Sequence, residues 1–202
     1  KKEKISFFKS KVGDRYVKEK MKKFRVGASS TFEYANRVIF PSFDENCELN
    51  YFVSRTIVPD SSYRYKNFEG SRKDAIFRQI DIDFKEPMVL VEGVFDLVHC
   101  PSNSTCILGS WLDINYRLFK EIVKNKTPVT LCFDPDAQEK SLKIARALRE
   151  YCVDVKLSQH TEKDFGDMTR DEVNYYIQTA QKYEISDRIG YLIQNINSGS
   201  IF

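Results

Sequence analysis

Long apolar runs are missing from this chain of 202 residues. The longest strand-like run, Met88-Val89-Leu90-Val91, stops at Glu92, far short of the roughly 18 residues that a membrane-spanning helix needs, so a membrane protein is excluded. Histidine is scarce, with two in the chain, and the five cysteines (Cys47, Cys100, Cys106, Cys132, Cys152) are odd in number and never spaced as C-x-x-C. That pattern removes a disulfide scaffold and a zinc ribbon and fits reduced thiols in a cytoplasm. His99, Cys100 and Cys106 lie close together without the spacing of a metal site. No signal-peptide pattern, repeat or low-complexity tract is present. The chain opens on Lys1 instead of Met, the expectation for a piece excised from a longer protein with neighbouring domains left out.

Apolar residues are plentiful enough for a real core, at 42% hydrophobic and 13% aromatic, and the length allows one full domain or two small ones. The net charge of +3 is a sum of opposites. Residues 1–80 carry 18 basic against 10 acidic side chains, whereas 81–202 carry 14 against 19. All of the front excess lies within 1–25, because 26–80 balance at seven against seven. Such asymmetry points to a polyanion partner for the front and cations for the rear.

The spacing of Val17, Met21 and Phe24 predicts an amphipathic helix with a basic outer face. Short β-type runs follow at 37–40 and 49–53, punctuated by Pro41, Asp44-Glu45-Asn46 and Pro59-Asp60, as in a small antiparallel or mixed sheet. Ser71 and Asp74 read as a helix start, with Ala75, Ile76, Phe77 and Ile80 as its apolar stripe. After Pro87 the text alternates regularly. Strands are expected at Met88–Val91, 106–108, 129–133 and 153–157, with a helical turn at 93–98 and helices at 111–124 and 137–151 between them. Another helix begins near Thr169, where T-x-x-E forms a capping box with Glu172. This order predicts an α/β chain: an α+β N-terminal portion, then a Rossmann-like parallel sheet flanked by helices. The stretch 195–200 reads as a loose end.

The carboxyl ends of parallel strands form one rim, where ligands bind. Acids gather there. Glu92 follows the first strand, with Asp96 four residues on; Asp134 and Asp136 follow the third; Asp164 and Asp167 lie in the loop after the fourth. Glu92 and Asp96 at i, i+4 repel one another on a bare helix by a few tenths of a kcal/mol, a cost that a cation removes. Hard carboxylate oxygens without His or Cys nearby suit Mg²⁺ or Mn²⁺ shared with phosphates. Ordinary uses exist too: Asp136 with Glu139 spells a D-x-x-E cap, Asp134 suits a turn, and acids are common in polar loops.

These residues carry a resemblance. Val91-Glu92-Gly93-Val94-Phe95-Asp96 resembles the E-G-x-x-D motif of TOPRIM domains, Phe133-Asp134-Pro135-Asp136-Ala137 their D-x-D motif, and Lys163-Asp164-Phe165-Gly166-Asp167-Met168 the late acidic loop of the primase branch. Upstream, Lys23-Phe24-Arg25-Val26-Gly27 is similar to the primase F-x-x-G segment and Tyr34-Ala35-Asn36-Arg37-Val38-Ile39-Phe40-Pro41 to its N-R-[IV]-x-F-P strand. Residues 49–55 look like the next strand, which ends in a basic residue, and Tyr63-Arg64-Tyr65-Lys66-Asn67 like its P-K-Y-x-N turn. Order and spacing match over 22–168, and the whole resembles the RNA-polymerase core of a DnaG-type DNA primase, of a divergent, phage-like kind. Phe95 stands where the family commonly has Met, Pro135 where Gly is usual, and Arg64 where Lys is usual.

The resemblance implies a division into a basic template- and nucleotide-binding subdomain (1–85), a TOPRIM metal-binding catalytic subdomain (86–168) and a helical extension (169–202). It implies template-directed synthesis of short RNA primers on single-stranded DNA. The catalytic residues would be Glu92, Asp96, Asp134 and Asp136. Glu92, Asp134, Asp136, Asp164 and Asp167 would hold two or more Mg²⁺ (or Mn²⁺) ions together with a nucleotide triphosphate, and Glu92 could double as a proton acceptor. Arg37, Arg55, Arg64, Lys66 and Asn67 would meet the template backbone or the incoming nucleotide. Implied partners are single-stranded DNA, ribonucleoside triphosphates, an RNA/DNA primer hybrid and, through missing regions, a replicative helicase, in the cytoplasm of a bacterial cell or a phage-infected host. Two other readings share the sequence features: a TOPRIM nuclease that uses water as nucleophile, and a noncatalytic nucleic-acid-binding replisome protein. A topoisomerase is excluded by the short chain.

Overall fold

The computed structural model describes residues 2–13, 17–109, 111–159 and 163–184, with 186, 189, 190 and 193 beyond them. Tyr16 and the expected loose end at 195–200 lie outside the described residues. Two lysine-rich helices come first, α1 (Lys2–Val12) and α2 (Val17–Lys23). An antiparallel hairpin follows, β1 (Arg37–Phe43) with β2 (Leu49–Thr56), paired from Arg37 with Thr56 to Phe43 with Leu49 through an irregularity at Ser42/Phe43. Alternation decides its faces: Val38, Phe40 and Ser42 are buried while their neighbours are half-exposed. Residues 64–68 run alongside β2 as a third ribbon, with hydrogen bonds from Thr56 N to Arg64 O, Lys66 N to Ser54 O and Phe68 N to Phe52 O.

The rear half is a five-stranded sheet in the order β4-β3-β5-β6-β7. Strands β3 (Met88–Val91), β4 (Ser104–Cys106), β5 (Val129–Leu131) and β6 (Val155–Leu157) are parallel, and β7 (Gln181–Lys182) closes one edge antiparallel to β6. Helices α3 (Arg117–Asn125), α4 (Gln138–Glu150) and α5 (Arg170–Gln178) connect and flank it. This is the expected α/β architecture. In β3 every residue is buried, and the pleat divides them: Met88 and Leu90 join a core with α3 and α4, while Val89 and Val91 join a second core with α1, α2 and the hairpin. In that second core Phe40 is ringed by Phe8, Phe24 and Phe95 at centroid separations of 5.8, 6.5 and 5.2 Å. Phe95 belongs to the E-G-x-x-D loop, so the hairpin is packed directly against the loop that carries the first acids.

Three expectations fail. The helix read from Ser71 is a run of turns ending in a single 3-10 turn, Gln79–Asp81. Its apolar residues are shared out, Ala75 and Phe77 to one core and Ile76 to the other, and Arg78 sits at φ +58°, which breaks a right-handed helix. The second strand lies two residues earlier than expected, at Ser104–Cys106, because buried polar side chains are satisfied there: Thr105 Oγ1 donates to Phe77 O at 2.6 Å and Ser104 Oγ to Pro101 O at 2.6 Å. The helix read from 111 starts at Arg117. Asp113 instead accepts the Asn115 N–H at 2.8 Å in an Asx turn.

Candidate metal centre

Parallel β3 and β5 end side by side, so the residues that follow them share one rim. Glu92 leaves β3 directly, and Asp134 and Asp136 follow β5 after Cys132 and Phe133. Glu92, Asp134 and Asp136 each present a carboxylate oxygen, all within 4.8 Å of one another. Glu92 Oε1 is buried and has no hydrogen-bond partner among the described residues, while its Oε2 pairs with the Lys140 ammonium. Asp134 Oδ1 accepts the Phe165 N–H at 2.6 Å, which ties the β5 loop to the late acidic loop. Burial raises the Asp134 pKa, helped by the charges of Asp164, Glu92 and Asp136.

Asp96 is placed differently from the trio. Its Oδ2 accepts the Gly93 N–H at 2.8 Å, closing the loop after β3 on itself. A Cβ at Gly166 would lie 2.7 Å from Asp96 Oδ1, so only glycine lets the late loop come so close. Burial, then the charge of Asp134, pushes the Asp96 pKa up to about 7. Asp164 is exposed but near enough to act on both Asp96 and Asp134. Asp167 is exposed and stands outside the close trio. The Asp136 side chain caps neither the 3-10 turn Pro135–Ala137 nor α4, so its ordinary use is set aside.

The expected capping box on α5 is present, with Thr169 N–H donating to Glu172 Oε2 at 2.6 Å and Glu172 N–H to Thr169 Oγ1 at 3.3 Å. Glu172 also holds Lys163 at 2.5 Å. These bonds to Lys163 and Thr169, with little desolvation to oppose them, hold its carboxyl down to about 2. The bracket fixes both ends of the loop bearing Asp164 and Asp167.

The predicted cations and Asn67 all lie on the hairpin and its third ribbon. Arg37 donates to the carbonyls of Tyr63 (2.9 Å) and Arg64 (3.3 Å). Arg55 stacks on the Tyr65 ring at 4.7 Å. Lys66 pairs with Glu33 at 3.0 Å and lies over Tyr34. Asn67 accepts the Ser54 N–H at 3.3 Å. Arg64 is exposed. A cleft of about 400 Å³ joins this ribbon to the acids, with Tyr65, Asn67 and Arg72 facing Glu92, Asp96 and Asp134.

Sequence reading missed Lys140, Arg72 and Tyr65 as parts of the site. Lys140 lies four residues after Asp136, a spacing that returns its side chain over the first turn of α4 toward the rim. Arg72 left no comparable signal; it reaches the Leu108 carbonyl at 3.4 Å across the chain fold.

No protein-family model matches the chain, and no curated protein matches it in sequence. Solved structures do match. The Aquifex aeolicus primase, in its zinc-binding and RNA-polymerase domains, is similar over 96% of this chain and 63% of its own, at a TM-score of 0.68 and 18% identity. The fold is that of a DnaG-type primase core. The E. coli primase catalytic core matches 90% of this chain and 70% of its own, with a TM-score of 0.60 and 15% identity. A DnaG primase catalytic domain bound to single-stranded DNA matches 84% of this chain and 63% of its own, with a TM-score of 0.58 and 14% identity. Relative to the Aquifex primase, then, this primase-like chain spans less than two thirds of the length. Among its described residues, no helix is long and apolar enough to cross a membrane.

Proposed function

We propose that the chain is the RNA-polymerase core of a DNA primase, a nucleotidyltransferase that joins ribonucleoside triphosphates into short RNA primers on single-stranded DNA. The observation that carries the reading is the meeting of Glu92, Asp134 and Asp136 at one sheet rim, in a fold shared with primase cores. An all-oxygen donor set with one buried, unpartnered oxygen, Glu92 Oε1, fits a hard divalent cation such as Mg²⁺ or Mn²⁺. Glu92, Asp134 and Asp136 would hold it, with Asp164 and Asp167 on the adjacent loop available to a second ion and to the bound triphosphate. When bound, such ions stabilise negative charge on the attacking 3′-oxygen and on the departing pyrophosphate.

The protein's own groups then divide the work. Lys140 neutralises one oxygen of Glu92 and orients the other. Asp96 holds Gly93 and so shapes the loop that presents Glu92; Phe95 carries that position to the hairpin. Across the cleft, Tyr65, Asn67 and Arg72 form the wall available to the nucleotide, and Arg64 and Lys66 reach toward the template backbone. In this reading residues 1–85 grip template and nucleotide and 86–168 form a TOPRIM metal-binding unit; the expected separate helical extension from 169 does not hold, because β7 within it completes the edge of that unit's sheet. An RNA/DNA hybrid is the product. A replicative helicase would engage through segments outside this chain, in a bacterial or phage-infected cytoplasm.

The test is primer synthesis with four ribonucleotides, Mg²⁺ and single-stranded DNA. Asp134→Ala should lower it by roughly 10³-fold, the scale of removing a group that stabilises transition-state charge. Unchanged synthesis in the variant would overturn the assignment. Mg²⁺-dependent nicking of DNA without ribonucleotide incorporation would replace it with a nuclease.

A further inference from the structure

The lysine-rich helices α1 and α2 hold the front's charge excess, yet they contribute no wall to the acidic cleft. Lys20 is enclosed and Lys23 is spent on the Cys100 carbonyl at 3.0 Å. Lys2, Lys9 and Lys11 on α1 and Lys18 and Lys22 on α2 stay exposed, with Glu3 and Glu19 the only acids on these two helices. A cavity of about 550 Å³ lies between the helices and the segment that follows them, larger than the 400 Å³ cleft at the acids. Its lining is mainly apolar. Phe8 and Val38 are buried, Met21 and Val26 pack against the same core, and Ile5 is left 36% exposed. Lys4 also lines it and donates to Ser29 O at 3.3 Å. An apolar concavity with a few polar groups at its edge is the form that receives a ligand side chain.

One wall of the cavity is backbone, residues 27–30. Gly27 pairs with Ile39 of β1 in both directions, its N–H on Ile39 O at 2.8 Å and the Ile39 N–H on Gly27 O at 3.0 Å. The segment therefore starts a further ribbon on the side of β1 away from β2. Antiparallel pairing turns the backbone groups of successive residues to opposite sides, so Ala28 aims its N–H and C=O away from β1. Among the described residues neither these groups nor those of Ser30 have a hydrogen-bond partner, and both residues are exposed. An exposed edge of unpaired N–H and C=O groups is a template for another strand. Polypeptide backbone matches such a row; bases and sugars do not. The cavity offers no stacking face to a base either, because its one aromatic ring, Phe8, is only 1% exposed.

We propose that the edge at 27–30 and the cavity beside it dock an extended acidic segment of another protein. The segment's backbone pairs with Ala28 and Ser30, one bulky apolar side chain enters the cavity, and its carboxylates meet the exposed lysines of α1 and α2. Charge complementarity selects acid over base, and the cavity selects a large apolar anchor over a small one. The site shares no residue with the acidic cleft and stands whether or not the chain makes primers.

Fluorescence anisotropy of short labelled peptides reads the site directly, with a set of Asp/Glu peptides that carry Phe, Leu or Trp at the centre and a matched peptide that carries Ala there. The best apolar anchor should bind roughly 10-fold tighter than Ala or better, the scale of burying one such side chain, and all binding should weaken with salt. Ile5→Glu puts like charge at an exposed position of the cavity and should remove the preference for the apolar anchor. Ala28→Pro deletes an N–H that bonds nothing among the described residues and should weaken peptide binding about fivefold with a melting temperature near that of the wild type. It serves if Ile5→Glu fails to fold. Absence of peptide binding in the wild type, no preference for an apolar anchor, or binding undiminished in both variants overturns the proposal. Two further outcomes also overturn it. Binding of a dT oligonucleotide that falls as much as peptide binding in the uncharged Ala28→Pro change gives the edge to nucleic acid, and a dimer that this variant dissociates gives it to a second copy of the chain.

Discussion

The acidic rim and the basic hairpin face each other across one cleft, and they treat their charges in opposite ways. At the rim, Glu92, Asp134 and Asp136 are crowded together and one oxygen is left buried without a partner. On the hairpin and its third ribbon, Arg37, Arg55 and Lys66 already have protein partners: two carbonyls, an aromatic face and Glu33. Crowded, unsatisfied charge costs stability and is retained for a ligand; satisfied charge stabilises the scaffold and has less left to give. In the proposed function the acids are therefore the reactive side of the cleft and the hairpin cations are largely its frame, with exposed Arg64 the exception.

The largest effect expected from this contrast is a pH-dependent stability in metal-free buffer. Asp96 has a folded pKa of about 7 against 3.8 for the unreacted group. Between these values the unfolded chain is ionised and the folded one is protonated, so stability is full below about pH 4 and falls by up to about 1.4 kcal/mol per pH unit as pH rises to 7. Asp134, shifted the same way, adds to it. Denaturant titrations at pH 5 and 7 should show the loss, and Asp96→Asn should flatten it; a flat wild-type profile would mean that burial and the neighbouring acids do not keep Asp96 protonated. A smaller effect is expected for Lys140→Met. Removing this internal counterion leaves Glu92 uncompensated, costing about 1–2 kcal/mol in metal-free buffer, and added Mg²⁺ should recover more stability in the variant than in the wild type. The smallest separates frame from contact. Arg37→Gln should cost about 1 kcal/mol of stability by releasing the 63–64 carbonyls, whereas Arg64→Gln should leave stability unchanged and reduce the salt slope of single-stranded DNA binding by about 0.7. The opposite pattern would reverse the roles.

What could be read in the sequence was what is locally determined. Met88–Val91 is apolar on both faces because it is covered on both, and Thr169 with Glu172 is a cap wherever the chain goes. The acids at the strand ends were legible for the same reason, since topology alone puts them on one rim. Residues whose state depends on distant partners were not. Ser104 and Thr105 look like a turn but are buried strand residues whose hydroxyls find carbonyls elsewhere. Ala75, Ile76 and Phe77 look like a helical stripe but serve two different cores. Lys140 looks like solvated charge, and only the fold brings Glu92 beside it. The buried state of Lys20 is equally invisible, because a lysine-rich helix gives no sign of which lysine will be enclosed.

The bracket of Lys163, Thr169 and Glu172 has a consequence for motion. A capping box is worth about 1 kcal/mol, and this one lies at the surface, where helix ends open first. Because Glu172 grips residues on both sides of the loop bearing Asp164, fraying of the first turn of α5 loosens the ends of that loop while its middle stays pinned by the Phe165 N–H on Asp134 and by buried Phe165 and Met168. The late acids are thus held twice, by a surface clasp at the ends of their loop and by an anchor at the rim itself.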